Sequence, residues 1–269
     1  MRSVKELEAL AKNVRKKVLL SVFHAGSGHI GGSLSCADIL TYLYFKEMNI
    51  PAPDYEDRDR FILSKGHSCP ALYSVLSEKG FIPEEELWRL RKTGALLQGH
   101  PEVGIPGIEA PSGSLGQGFS FALGVALAAK KLKKSFRVYI MLGDGECNEG
   151  EVWEGAMFGA HHQLDNLTAI IDYNKLQSDD YCDNITSLEP LAEKWKTFGW
   201  YVIEIDGHDF NQIAFAFNTA RKIKKRPTCI IAHTIKGKGV SFMEDNPMWH
   251  GSRAPSEEEL RMALKELDD

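Results

Sequence analysis

The chain has 269 residues, of which 43% are hydrophobic and 26% are charged, a mix that excludes a disordered or fibrous protein. Its 37 acidic and 32 basic residues give a formal net charge of −5, which argues against a general affinity for nucleic acid or anionic membranes. Lysine-rich runs over residues 130–134 and 222–226 each close a helical pattern, where cations suit the helix dipole. We therefore expect neither nucleic acid nor membrane as a partner.

The cellular compartment is predicted from the cysteines and the N-terminus. The five cysteines are scattered and form no C-x-x-C pair, so we expect neither a disulfide framework nor a zinc site. Residues 1–23 carry charges throughout, unlike a signal peptide, and the apolar runs are too short to span a bilayer. These features predict a cytoplasmic protein.

The predicted elements begin with a long helix. Ser3 and Glu6 have the spacing of a capping box, and apolar residues follow at helical intervals until Gly26. Helices are then predicted over residues 35–48, 70–79 and 83–91, with a short strand over 61–64. From residue 116 onward, helices over 116–133, 151–162, 190–198 and 210–224 alternate with strands over 137–142, 167–172, 201–205 and 228–232. Ser256 and Glu259 repeat the capping-box spacing before a last amphipathic helix.

This alternation of elements predicts an α/β fold, with a parallel sheet and helices on both faces. The strands are continuous apolar runs, as a sheet buried on both faces requires. Because no repeat or linker divides the chain, we expect one domain over residues 1–269, with a helical tail over 253–269 whose acidic end, Asp268-Asp269, is typical of a natural terminus. The long segments 94–115 and 235–252 are predicted to form a functional site.

Polar residues follow two neighbouring strands of the predicted sheet. Gly143, Asp144 and Gly145 come directly after one strand, and Asn174 ends the next, one helical crossover later. We expect Asp144 and Asn174 side by side at the carboxyl edge of the sheet. Their oxygens, with a nearby main-chain carbonyl, suit Mg²⁺ or Ca²⁺ and leave coordination positions for phosphate. Two ordinary turns are the alternative interpretation, since Asp-Gly and Asn are common in turns.

Five of the nine histidines are flanked by glycine, which places them in turns rather than in helix interiors. They are His29, His67, His100, His208 and His250. Taken singly, each is better interpreted as structural. Together on the predicted site-forming segments they favour a function in exchanging protons with polar oxygens.

The motif Gly143-Asp144-Gly145, with Asn174 at this distance, resembles the thiamine diphosphate-binding motif. Further segments occur in the order found in the N-terminal, diphosphate-binding half of transketolases: Ser27-Gly28-His29-Ile30-Gly31, Asp59-Arg60-Phe61-Ile62-Leu63-Ser64-Lys65-Gly66-His67, Gly99-His100-Pro101-Glu102, Gly113-Ser114-Leu115-Gly116-Gln117-Gly118 and His250-Gly251. The resemblance covers about residues 5–252 and implies the thiamine diphosphate-binding fold. The chain is similar to the N-terminal subunit of a split transketolase.

The resemblance implies a role for each matching residue. Metal binding, with Mg²⁺ first and Ca²⁺ or Mn²⁺ as alternatives, would involve the side chains of Asp144 and Asn174 and the carbonyl of Leu176. Cofactor contacts would come from His67, Gly113, Leu115, Gly143, Asp144, Gly145, Asn174 and His250. Catalytic roles would fall to His29 and His100 in the substrate channel, to His250 near the thiazolium, and to Glu149 at the interface between paired active sites.

The implied activity is transfer of a two-carbon ketol unit from a ketose phosphate to an aldose phosphate. The implied partner is a C-terminal subunit carrying the pyrimidine-binding domain, in a heterotetramer of two unlike pairs that is active only when assembled. Two alternatives remain open. One is a subunit of another thiamine diphosphate enzyme, such as a deoxyxylulose-phosphate synthase or the alpha subunit of a 2-oxoacid dehydrogenase. The other is a non-catalytic paralogue that binds a metal diphosphate.

Overall fold

The computed structural model describes residues 2–178 and 180–268, so Asp269 of the predicted acidic end lies outside the described residues. The helices are α1 (Val4–Ala25), α2 (Ile30–Ser35), α3 (Ala37–Tyr42), α4 (Cys69–Glu78), α5 (Gln117–Lys131), α6 (Gly150–His161), α7 (Cys182–Ile185), α8 (Leu191–Thr197), α9 (Phe210–Ala220) and α10 (Glu257–Asp268). The strands are β1 (Arg60–Leu63), β2 (Val138–Gly143), β3 (Leu167–Tyr173), β4 (Leu176–Gln177), β5 (Asp180–Tyr181), β6 (Tyr201–Asp206) and β7 (Thr228–His233).

Five strands form one parallel sheet in the order β1-β2-β3-β7-β6, while β4 and β5 make a separate antiparallel pair. Alternate residues of the central strand β3 enter two different cores. Ile170 packs with α1, α3, α4 and α9 on one face, and Ala169 and Ile171 pack with α5, α6 and α8 on the other. The predicted parallel sheet with helices on both faces is confirmed. In the described part of the chain, no helix is both long and apolar enough to cross a membrane.

Both predicted capping boxes are present. The amide of Glu6 donates to Ser3 Oγ (3.3 Å) and Ser3 N donates to the Glu6 carboxylate, so α1 begins where the sequence indicates. The same exchange joins Ser256 and Glu259 at the start of α10, with distances of 3.2 and 2.8 Å. Helix α10 packs its buried side, which includes Ala263, against α1.

The helix predicted over 35–48 differs from the structure. It begins earlier, at Ile30, is interrupted at Cys36, and ends in a wide turn over Leu43–Glu47. The start was missed because two glycines disfavour a helix by intrinsic propensity. Tertiary packing explains Gly31, because a Cβ there would lie 2.7 Å from the carbonyl oxygen of Trp249. This close contact fixes the loop before residue 250 against α2.

Two other predicted helices need correction, and three short elements were not predicted. The segment 83–91 forms a 3₁₀ helix over Glu84–Arg89, and the helix predicted over 210–224 ends at Ala220, so its basic run follows the helix instead of closing it. Lys225 adopts a positive φ of 63°, which a continuing helix does not allow. The short elements β4, β5 and α7 were missed because two to four residues carry no detectable period.

Candidate active site

A cavity of about 290 Å³ lies at the carboxyl edge of the sheet, where β2 and β3 end. It is lined by all the sequence-predicted site residues except one: His29, His67, His100, Gly113, Leu115, Gly143, Asp144, Gly145, Asn174, Leu176 and His250. The segments 94–115 and 235–252 both contribute to this lining. Residues distant in sequence therefore meet at the position where parallel α/β sheets bind ligands.

The floor of the cavity carries the buried carboxylate of Asp144. Its Oδ1 accepts a hydrogen bond from Gly145 N (2.7 Å), and its Oδ2 accepts one from Lys175 N. Burial, with the nearby Asp172 carboxylate as the second cause, raises the pKa of Asp144 to about 6. The backbone donors do not compensate for the lost solvation, so a bound cation would stabilise the ionised carboxylate.

The oxygens around Asp144 fit a hard divalent cation. Asn174 Oδ1 accepts from Leu176 N (3.1 Å), and the carbonyl oxygen of Leu176 faces the Lys236 ammonium at 2.9 Å. The described residues contain no group of three or more His, Cys, Asp or Glu side chains arranged for a metal. Any metal here would depend on one carboxylate, one amide and one main-chain carbonyl, a set suited to Mg²⁺ or Ca²⁺ with positions left for phosphate oxygens.

Two buried lysines line the same cavity. Lys65 Nζ donates to the carbonyl of Gly32 (3.1 Å) and to the carboxylate of Asp172. Burial is the largest single influence and opposes its charge, but the neighbouring acidic groups, Asp172 first among them, together raise the pKa of Lys65. Burial, with Lys65 as the second cause, lowers the pKa of Lys236 to about 8. These ammonium groups give the cavity an affinity for anions.

No role is predicted from the sequence for either lysine. Both lie in segments to which the sequence assigns other site residues, and each is followed directly by glycine, as Lys65-Gly66 and Lys236-Gly237. A lysine next to a glycine in a site-forming segment could have pointed to them. Only the fold shows that both lysines are buried, which makes their charges important for the cavity.

Four histidine rings cluster at the rim of the cavity. The centroid of His29 lies 5.1 Å from His67, 5.6 Å from His250 and 6.5 Å from His100. Burial lowers the pKa of His29 to about 4, that of His250 to about 3, and that of His67 well below its usual value. The pKa of the less buried His100 is also lowered, chiefly by burial. Neutral rings can both donate and accept hydrogen bonds, as sugar hydroxyls require.

Two residues singled out in the sequence lie away from the cavity lining. His208 binds Asp38 through Nδ1 (2.7 Å) and accepts from Ile235 N through Nε2 (2.9 Å), so it supports the fold. Its flanking glycine correctly predicted a turn, but did not indicate whether that turn lines the cavity. Glu149 is exposed at the N-cap of α6, beside Gly116 at the start of α5.

A second buried acid, Glu146, holds the loops around the cavity together. Its carboxylate accepts from Gly116 N (2.8 Å), Gly143 N (3.0 Å) and the Ser64 hydroxyl. Two glycines allow close contacts nearby. A Cβ on Gly145 would lie 2.6 Å from the side chain of Gln177, and one on Gly251 would lie 2.5 Å from the ring of His29.

Comparison with known proteins agrees with this geometry. A family model described as the thiamine diphosphate binding domain of transketolase matches residues 7–267. The chain is 42% identical over 268 residues to an apulose-4-phosphate transketolase subunit from Phocaeicola vulgatus, covering 99% of this chain and 95% of that relative. It is 43% identical over 266 residues to the 6-deoxy-6-sulfo-D-fructose transketolase subunit SqwG of a Clostridium species, covering 98% and 96%.

Longer transketolases match with only part of their length. Rat transketolase is 42% identical over 252 residues, which are 93% of this chain but 40% of that protein. The crystal structure of Campylobacter jejuni transketolase superposes with a TM-score of 0.93 at 31% identity, covering 99% of this chain and 43% of that one. The resemblance inferred from the sequence motifs is confirmed. The chain belongs to the transketolase family and corresponds to the thiamine diphosphate-binding domain of its longer members. It matches nearly the full length of the relatives that are named as transketolase subunits.

Proposed function

We propose that the cavity binds thiamine diphosphate together with a divalent metal, Mg²⁺ first and Ca²⁺ or Mn²⁺ as alternatives. The observation that carries this proposal is the pairing of opposite charges in one cavity. The oxygens of Asp144, Asn174 and Leu176 would hold the metal, and the ammonium groups of Lys65 and Lys236 would offset the diphosphate charge. Contacts with the cofactor would also come from His67, Gly113, Leu115, Gly143, Gly145 and His250.

The reaction that we propose is transfer of a two-carbon ketol unit from a ketose phosphate to an aldose phosphate. The bound thiamine would supply the carbanion and the electron sink. The neutral rings of His29 and His100 would donate to and accept from sugar oxygens, and His250 would act beside the thiazolium. A shallower cavity shares His29 and His250 with the main one and offers a route for substrate. The relatives named for apulose-4-phosphate and 6-deoxy-6-sulfo-D-fructose support a ketose bearing an anionic group.

Catalysis would require the other regions of a full-length transketolase, of which this chain matches 40%, and a second polypeptide would supply them. The names of the relatives, which specify subunits, support this inference. We propose a partner that carries the pyrimidine-binding domain, in a heterotetramer of two unlike pairs. The packed helices α5 and α6 expose Phe121, Met157 and Phe158, with 43%, 52% and 38% of their surface accessible. This apolar face, with Glu149 at its end, would be covered in the assembly.

Residues 1–269 would form one domain with a helical tail over 253–269, of which α10 packs against α1, and the protein would act in the cytoplasm. The central five-stranded sheet, packed on both faces by helices, supports the first point, and five buried free cysteines support the second.

Assays of ketol transfer by the chain alone, by its partner alone and by their mixture test the proposal. We expect turnover only in the mixture. The Phe121→Glu variant, which places a charge on the apolar face, should lower activity at limiting partner and recover it at excess partner. Full turnover by the isolated chain would contradict the partner requirement.

A further inference from the structure

Asp172 is a fully buried carboxylate on β3, directly behind the cavity. In the described structure it is not part of the cavity lining. Four side chains donate hydrogen bonds to it: Ser35 Oγ at 2.6 Å, Asn174 Nδ2 at 3.2 Å, the Lys65 ammonium and the Thr234 hydroxyl. Two of these donors, Asn174 and Lys65, also line the cavity. A single carboxylate thus connects the group expected to bind the metal with a group expected to face the diphosphate.

The contact with Asn174 determines the orientation of its amide. Nδ2 donates to Asp172 Oδ2, while Oδ1 accepts from Leu176 N at 3.1 Å. Rotating the amide by 180° would place Nδ2 against the amide N–H of Leu176 and Oδ1 against the carboxylate of Asp172. Both contacts would then be repulsive, so the oxygen stays on the side of the Leu176 amide.

The contact with Lys65 holds an ammonium group that would otherwise be buried with a single backbone acceptor, the carbonyl of Gly32 at 3.1 Å. Leaving a buried lysine without its carboxylate is costly, and the side chain would relax toward the cavity or lose its proton. Asp172 therefore maintains both the position and the charge of Lys65.

We propose that Asp172 is a positioning residue which touches neither metal nor cofactor but presents the Asn174 oxygen to the metal and the Lys65 ammonium to the diphosphate. This inference rests on the proposed binding of a metal diphosphate in the cavity. Hydrogen-bonding partners behind metal ligands act in this way in other sites, and their loss lowers metal affinity by about 10- to 100-fold.

The test measures Mg²⁺ affinity by calorimetry at saturating thiamine diphosphate, in the assembled complex. The Asp172→Asn variant should lose about 10- to 100-fold in affinity. Asp38→Asn is the matched control, because Asp38 is also a buried carboxylate, and it binds Arg15 and His208, neither of which lines the cavity. Its Mg²⁺ affinity should equal that of the native complex, although its unfolding midpoint falls.

A rescue variant separates positioning from a merely structural role. In Asp172→Asn with Asn174→Asp, the new amide can donate to a carboxylate that presents an oxygen in either orientation, and the net charge is conserved. We expect this double variant to recover most of the lost Mg²⁺ affinity. If Asp172→Asn fails to fold, the Mg²⁺ affinity of the double variant, compared with that of the native complex, still tests the inference.

Unchanged Mg²⁺ affinity in Asp172→Asn would overturn the inference, and so would a folded double variant that binds Mg²⁺ no better than the single one. A native complex that binds no thiamine diphosphate with Mg²⁺ would instead overturn the proposed function itself.

Discussion

Two buried carboxylates of this chain have opposite electrostatic surroundings. Asp38 receives a bidentate contact from Arg15 (2.6 and 2.9 Å) and a third from His208, and although burial opposes ionisation, these partners hold the pKa of Asp38 at about 2. Asp144 is as deeply buried, but among the described residues only the backbone amides of Gly145 and Lys175 donate to its carboxylate, and burial raises its pKa to about 6. The fold therefore neutralises the carboxylate of Asp38 with its own side chains and leaves the carboxylate of Asp144 for a bound cation to neutralise.

Removing the charge of Asp38 should have the largest effect, on the stability of the fold. Asp38→Asn leaves the buried guanidinium of Arg15 without a carboxylate, so we expect a loss of about 3 kcal/mol in the free energy of unfolding. Denaturant unfolding followed by circular dichroism measures it. An equal loss in Asp144→Asn, in the absence of metal, would contradict the distinction between the two sites.

Removing the carboxylate of Asp144 should lower cofactor binding rather than the stability of the fold. Asp144→Ala removes a proposed metal ligand, and we expect the affinity of the complex for thiamine diphosphate with Mg²⁺ to fall at least about 100-fold, or about 2.7 kcal/mol. Calorimetry on the assembled complex measures this affinity. Unchanged affinity in Asp144→Ala would refute the assignment.

The two carboxylates should also respond oppositely to pH. The folded-state pKa of Asp144 is raised, so without metal its ionisation destabilises the fold, and stability from this group increases as pH falls from about 7 toward 5. The folded-state pKa of Asp38 is lowered, so its contribution is present above pH 4 and is lost toward pH 2. Mg²⁺ competes with the proton on Asp144, whose pKa is about 6, so metal affinity should fall about fivefold between pH 6 and pH 5.

Thermal unfolding and Mg²⁺ titration across pH 5 to 8 check this expectation. The Asp38→Asn variant should keep the same pH dependence of Mg²⁺ affinity as the native chain. A metal affinity that does not change with pH would show that Asp144 is not the group that titrates.

The smallest effect is expected for His100, at the rim of the cavity, on the KM for the ketose donor. His100→Ala should raise the KM for the ketose donor about fivefold, which corresponds to about 1 kcal/mol for one lost neutral hydrogen bond. Cofactor affinity should hold, because His100 is assigned to the substrate. Steady-state kinetics measures the KM for the donor, and calorimetry measures cofactor affinity. A large loss of cofactor affinity at constant KM would show that the role assigned to His100 is wrong.

The sequence predicted the sheet well because its information is local. Apolar runs and helical periods mark β2, β3 and α1 within a few residues, and glycine-flanked histidines marked the turns that hold His29 and His250. The supporting charges were missed because their partners are distant in sequence. Lys65 meets Asp172 across 107 positions, and Ser64 meets Glu146 across 82. No local pattern reveals which polar residues a fold will bury together.

The close contact between α2 and the loop over residues 247–251 has a consequence for kinetics. Gly31 brings α2 against the carbonyl of Trp249, Gly251 brings the loop against the His29 ring, and the Gly31 carbonyl accepts from Gly237 N at 3.0 Å. With no side chain between these segments, the loop has no room to swing inward as a separate lid. We therefore expect substrate entry on this side to involve no closure of this loop as a separate gating step.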